Sequence, residues 1–222
     1  MKNITNNPKF IFYYRLCAFI LSLWGIVSHI GLFTDNFRPQ GLMTYTVQSN
    51  IFACIVFFML MKETGKRMKE AGRKVDYGFY SPLSFAAMID IILTMLIFWV
   101  VLAPTNWAGL NLFSADNLMV HLFTPLMIIS DRIMFCKASR MKAKEILYAV
   151  IYPYIYIIEA YINGKMRLVK FGVVDGGSYY LYPFLNFDKL GWKVFIYVAL
   201  LTVFFLLLGY GFYRWEKSRT QK

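Results

Sequence analysis

The sequence predicts an all-α fold, a polytopic membrane protein of six transmembrane helices with both termini in the cytoplasm. Three observations predict it. The composition of the 222 residues is 59% hydrophobic and 19% aromatic, with mean hydropathy +0.50, which excludes an ordinary soluble globular chain. Six apolar stretches, at about 10–33, 43–61, 82–103, 115–136, 145–162 and 191–213, are each long enough to cross a hydrocarbon core ~30 Å thick. The basic residues between those stretches alternate, poor in one gap and rich in the next.

That alternation supplies the orientation. Sixteen of the 24 Lys and Arg residues fall before span one, after spans two and four, and after span six; six fall in the other gaps, and Arg15 and Arg132 lie within spans. Basic residues stay on the cytoplasmic side, so both ends are placed there. The net charge of +12 is therefore a topology signal and a contact for anionic lipid on the cytoplasmic face, and no nucleic-acid partner is expected.

The elements follow in order. Span one follows nine residues with no small-residue cleavage site, and reads as a retained signal anchor. A short turn rich in Asp35, Asn36, Pro39 and Gly41 leads to span two. Beyond span two, Glu63, Lys66, Arg67 and Glu70 are spaced for a helical extension along the surface. Span three leads to an uncharged external loop, 104–114, whose Trp107 suits a segment dipping into the interface. Spans four and five are joined by a brief basic link and are expected to be antiparallel neighbours. The connection 163–190 is the longest, with Gly172, Gly176 and Gly177 before the aromatic run Tyr179, Tyr180, Tyr182, Pro183 and Phe184. It reads either as a lid folded over the outer end of the bundle or as a plain surface hairpin. With little left outside the spans, residues 1–222 form one domain. Cys17, Cys54 and Cys136 lie in or at the ends of spans at no metal-ligand spacing, and read as apolar packing residues.

Ionisable groups inside a bilayer are costly and call for a partner or a role. The set is Arg15, His29, Asp90, His121, Asp131, Arg132 and Glu159, joined by the uncharged Thr46, Gln48, Ser49 and Asn50. Asp131 and Arg132 are expected to pair with charges on neighbouring helices, and Asp90 with Arg15. Counting from the span ends puts Thr46 about 5 Å and His121 about 9 Å below the outer boundary, with His29 and Glu159 at a similar level. A hydroxyl and an imidazole at matched depth suit a nucleophile and its base; the bland reading is interhelical hydrogen bonding. Thr46, Ser49 and Asn50 share one face of span two, either as helix-to-helix glue or as support for a substrate. Pro125, one turn after His121, frees a backbone carbonyl and kinks span four. Glu159 either orients a histidine or meets the interface. No metal spacing, phosphate loop or dinucleotide fingerprint is present, and neither metal nor cofactor is expected.

Three blocks carry a family resemblance: MTYTVQSNIF at 43–52, DNLMVHLFTPLMIISD at 116–131 and YLYPFLNF at 180–187. In order and position they resemble the androgen-induced gene product and androgen-dependent TFPI-regulating protein family, in its bacterial six-span branch. The resemblance implies an integral-membrane hydrolase of fatty acid esters of hydroxy fatty acids that uses a threonine nucleophile and a histidine. The matching positions are Thr46, with Thr44 as a second candidate, and His121. Animal members carry an acidic residue where Ser49 aligns, which leaves the substrate open. Gln48, Ser49, Asn50, His29 and Glu159 are the candidate supporting residues, and membrane lipids or a lipid ester the partner. A non-catalytic lipid-binding or transport protein with the same cavity is the alternative, and a purely structural membrane component a third reading.

The orientation is testable by itself. In a cysteine-free background, single cysteines at Gln40, Trp107 and Gly176 are expected to react with an impermeant thiol reagent from outside. Cysteines at Ala71 and Ser139 should react only after permeabilisation. The opposite pattern would invert every depth assigned above.

Overall fold

The computed structural model describes residues 7–35, 37–70, 82–105, 111–136, 141–172 and 177–220. Trp107, Gly176, Ala71, Ser139 and most of the basic loops lie outside them. Six helices are long and apolar enough to cross a membrane: α1 (Pro8–His29), α2 (Tyr45–Lys69), α3 (Pro82–Leu102), α4 (Ala115–Phe135), α5 (Ala143–Met166) and α6 (Phe187–Arg219). Among the described residues there is no strand; one isolated antiparallel bridge joins Phe171 to Ser178.

Local sequence explains the helix limits. Asn7 caps α1 by accepting from the amides of Lys9 and Phe10, with Pro8 at the first helical position. Thr44 caps α2 in the same way through Val47 N, and its hydroxyl donates to Gly41 O at 2.8 Å. That role engages the Thr44 hydroxyl on both sides of the cap. The expected extension of α2 runs to Lys69, braced by the Glu63–Arg67 pair one turn apart. At the outer end of α5, Arg167 adopts a left-handed conformation (φ 55°), which stops the helix and turns the chain.

The third span is the axis of the bundle. Residues 84–94 of α3 are all buried, and α3 packs against α2, α4, α5 and α6. Its apolar surface runs all round the helix, as a helix surrounded by others requires. The first span lies outside this group, in the groove between α2 and α4. Gly25 permits that approach, since a Cβ there would overlap the Met119 side chain. The brief link between α4 and α5 does not make them packing partners: α4 lies on α1 and α3, and α5 on α3 and α6. Apolar neighbours on every side of α3 outcompete a short connection.

Two ion pairs close the end of the bundle nearer both termini, both made by adjacent residues of α4. Asp131 receives Arg15 Nε at 2.7 Å and Nη2 at 3.1 Å, while Arg15 Nη1 donates to Thr64 Oγ1 at 2.6 Å. Arg132 makes a two-bonded pair with Glu216, donates to Ser84 Oγ at 3.1 Å, and lies over the Phe85 ring. The expected pairing of Asp131 and Arg132 with neighbouring helices is met. The expected Asp90–Arg15 pair is not, because α1 packs on α2 and α4 and leaves α3 beyond its reach. Asp90 instead accepts from the Tyr45 hydroxyl at 3.2 Å.

The outer connection folds inward. Asn163 organises its start, donating to Val169 O and Tyr179 O and accepting from Val169 N. Tyr180, Leu181, Tyr182 and Leu185 are buried, so the segment forms the lid, and the plain hairpin is excluded. Gly164 makes room for it, since any side chain there would overlap the Tyr180 ring.

Removing one partner of a buried ion pair strands the other charge, at a cost of about 3–5 kcal/mol. Glu216→Gln is therefore expected to destabilise the protein on that scale. The double replacement Arg132→Met, Glu216→Leu should recover most of the loss. Reversible chemical unfolding in mixed micelles measures both.

Candidate active site

Pro125 shapes the site. Around His121 the fourth helix widens into a π turn, Met119–Phe123, in which Thr124 N bonds to Met119 O five residues back. In that register the next donor would be residue 125, bonding Val120 O; in the ordinary α register it would bond His121 O. Proline has no N–H, so both carbonyls are freed. Side chains from two other helices take them. Asn50 Nδ2 of α2 donates to Val120 O at 3.0 Å, and the Trp99 indole of α3 donates to His121 O at 3.0 Å. The expected freed carbonyl is thus present, and it serves as the attachment point for α2 and α3.

The His121 ring is held between two other rings. Phe98, in a second π turn at Ile97–Leu102, stacks on it at 3.7 Å with planes 12° apart. His29 meets it edge-on at 6.0 Å between ring centroids, and its own Nδ1 lies 3.2 Å from Asp116 Oδ2. His121 is 5% exposed. Its Nδ1 is sealed without a partner, whereas Nε2 makes no hydrogen bond and stays accessible from the cavity that the ring lines.

Thr46 stands in the first turn of α2. Its carbonyl accepts from Ser49 Oγ at 3.0 Å and Asn50 Nδ2 at 2.8 Å, so Asn50 bridges the backbones of Thr46 and Val120. The first amides of a helix have no intrahelical acceptor. Those of Tyr45 and Thr46, with the Thr46 side chain, lie beside the Tyr182 hydroxyl of the lid. Burial pushes the Tyr182 hydroxyl up to about 12, outweighing the lowering by these neighbours, so it stays a neutral phenol throughout the physiological range.

Thr46 and His121 line one cavity of about 70 Å³ between α2, α3, α4, α5, α6 and the lid. Its wall is mainly apolar, with Phe98, Tyr156, Tyr182 and Phe205 among the lining residues. Tyr154 and Thr202, whose hydroxyls lie 3.0 Å apart on the exposed faces of α5 and α6, mark its lateral side. No direct hydrogen bond joins Thr46 to His121.

The other expected residues divide. Ser49 bonds to Thr94 Oγ1 at 2.8 Å, tying α2 to α3. Gln48 and Glu159 lie elsewhere: Gln48 Nε2 donates to both Glu159 oxygens, at 2.9 and 3.0 Å, and Gln48 Oε1 accepts from the Tyr152 hydroxyl. Glu159 thus orients a glutamine and no histidine. Gln48 and Tyr152 border a separate apolar groove of about 770 Å³ on the membrane-facing side of α2, α3 and α5. Among the described residues, no three His, Cys, Asp or Glu side chains gather as metal ligands do. Sequence reasoning passed over Phe98, Trp99 and the particular role of Tyr182; only the tyrosine run before span six gave a sign of the last. No family model, curated protein or solved structure matches the chain.

The bridge from Trp99 is open to measurement. Trp99→Phe leaves His121 O unpaired in a buried setting and is expected to cost about 1–3 kcal/mol in unfolding stability. Adding Pro125→Ala returns a backbone N–H to the same turn and should recover part of that loss.

Proposed function

We propose that the protein is an intramembrane hydrolase of lipid esters, with Thr46 as nucleophile and His121 as general base. The observation that carries this reading is that the two residues, brought from different helices, line one largely apolar cavity. The resemblance to the androgen-induced gene product family supports the same pair and suggests fatty acid esters of hydroxy fatty acids as the substrate class. In this reading both termini face the cytoplasm of a bacterial cell, and the site lies toward the outer leaflet.

The chemistry proceeds in two displacements. Thr46 Oγ1 attacks the ester carbonyl carbon as His121 Nε2 takes its proton, and the tetrahedral oxyanion forms beside the start of α2. Free amides at a helix N-terminus suit that charge, and here they are the amides of Tyr45 and Thr46 that now face Tyr182. The substrate carbonyl oxygen would displace the Tyr182 hydroxyl from them. Collapse expels the alcohol, which receives the proton from His121, and leaves an acyl-threonine. Water then attacks the acyl carbon, giving its proton to His121; the fatty acid leaves and Thr46 regains its proton. Substrate arriving from the bilayer would pass between α5 and α6, past Tyr154 and Thr202.

The competing reading is a non-catalytic lipid-binding or transport protein with the same cavity. It is favoured by the Thr46 side chain lying beside Tyr182 and making no hydrogen bond to His121. Thr46→Ala and His121→Ala decide between the two. With a long-chain p-nitrophenyl ester and an ester of a hydroxy fatty acid as probes, each is expected to lower turnover by at least the ~10²–10⁴-fold of a lost base or nucleophile. Thermal stability and retention of a labelled fatty acid should stay unchanged. An inert wild type that still retains the fatty acid establishes the binder.

A further inference from the structure

Four buried polar side-chain atoms among the described residues have no hydrogen-bond partner: Asn50 Oδ1, His121 Nδ1, Thr124 Oγ1 and Asp90 Oδ2. The last belongs to the Tyr45 pair on α3. The other three belong to α2 and α4, where the Asn50–Val120 hydrogen bond joins the two helices. Both acceptors of the Asn50 amide are carbonyl oxygens, Thr46 O and Val120 O, so its nitrogen end is fixed and Oδ1 is the end left over. Asn50 Nδ2 grips the Val120 carbonyl, one residue before His121 in the π turn and four before Thr124, which directly follows that turn. Three orphans within one turn, none bonded to another, are the setting in which folded proteins hold an internal water.

We propose that a single buried water between α2 and α4, bound by Asn50 Oδ1 and Thr124 Oγ1, accepts the Nδ1–H of His121 and sets its tautomer. The donors and acceptors balance. Water accepts from Nδ1–H and from the Thr124 hydroxyl, whose proton has no other acceptor, and donates to Asn50 Oδ1, which can only accept. The reverse arrangement, with the proton on Nε2, would aim an N–H into an apolar cavity with no acceptor in reach. An orphaned N–H is rarer in proteins than an under-used acceptor. Nε2 is thereby left with its lone pair facing Thr46's cavity. Asn50 and Thr124 become positioning residues, acting on the reaction through His121 alone. The catalytic consequence rests on the hydrolase reading; the water site and the tautomer do not.

The test uses the full chain in lipid bilayers with ¹⁵N-labelled histidine. The sequence has only two histidines, and His29→Gln assigns the signals. The wild type is expected to show neutral His121 protonated at Nδ1. Thr124→Val, which keeps the shape and removes the hydroxyl, should move proton population to Nε2, as should Asn50→Leu. Thr124→Ser should restore the wild-type state. With a p-nitrophenyl laurate probe, Thr124→Val should lower kcat about 10- to 100-fold at unchanged KM, the scale seen when a histidine loses the partner of its second ring nitrogen. An Nε2–H tautomer in the wild type, or an Nδ1–H tautomer untouched by both variants, overturns the proposal. A tautomer that responds as expected in a protein that hydrolyses no ester upholds the water site and sinks the hydrolase reading instead.

Discussion

The double charge Asp131–Arg132 on α4 is the constraint from which the rest of the bundle follows. Adjacent residues point to different sides of a helix, so the carboxylate is met from α1 and the guanidinium from α6. Thr64 and Ser84 add α2 and α3 to the same knot. Desolvating charges can cost more than their attraction returns, so such pairs persist only with near-complete hydrogen bonding. Here each arginine bonds twice to its carboxylate and once to a hydroxyl. The knot fixes the depth and rotation of α4 at its inner end, and with them the helix that carries His121.

Rotation then has to be corrected on the way to the opposite end of the bundle. A π turn inserts one residue, which rotates one side of the helix relative to the other by about 100°. The turn at 119–123 lies at His121 itself, so the imidazole is aimed independently of the ion pairs below. Proline two residues later makes the widened turn possible, because no N–H of its own competes for the displaced carbonyls. In a bilayer those carbonyls must be satisfied within the protein. Asn50 and Trp99 do so, and in doing so bring α2 with Thr46 and α3 with Phe98 against the histidine. One imino acid thus organises three helices around one ring.

Level along the bundle was legible in the sequence, and azimuth was not. Span limits, the continuation of α2, the pairing of Asp131 and Arg132 and the carbonyl freed by Pro125 all follow from composition, spacing and the cost of charge in hydrocarbon. The depth count put Thr46, His29, His121 and Glu159 at one level, yet a level is a ring around the bundle. Thr46 and Gln48 are two residues apart, about 200° round the helix, so Gln48 faces a different groove and takes Glu159 with it. The misassigned Asp90–Arg15 pair has the same origin, since nothing in a one-dimensional pattern tells that α1 packs against α2 and α4. His29 and His121 did meet, because α1 and α4 are neighbours.

Burial is uneven across the bundle in a way that bears on how a lipid reaches the site. About half of the apolar windows of α2 and α4 and 61% of that of α3 are buried, against 17% for α5 and 22% for α6. The residues proposed for chemistry therefore stand on the clamped, well-packed helices, where a threonine and a histidine can be held in fixed relation. The helices that wall the cavity toward the lipid are those with the least packing to lose on parting. Tyr182 joins the two sides: the lid that bears it is anchored at the end of α5 through Asn163, and its hydroxyl reaches the first turn of α2. A displacement of α5 that widened the lateral side would pull on the same segment that covers Thr46. In the proposed hydrolase reading, access for an acyl chain and release of Thr46 are mechanically one movement.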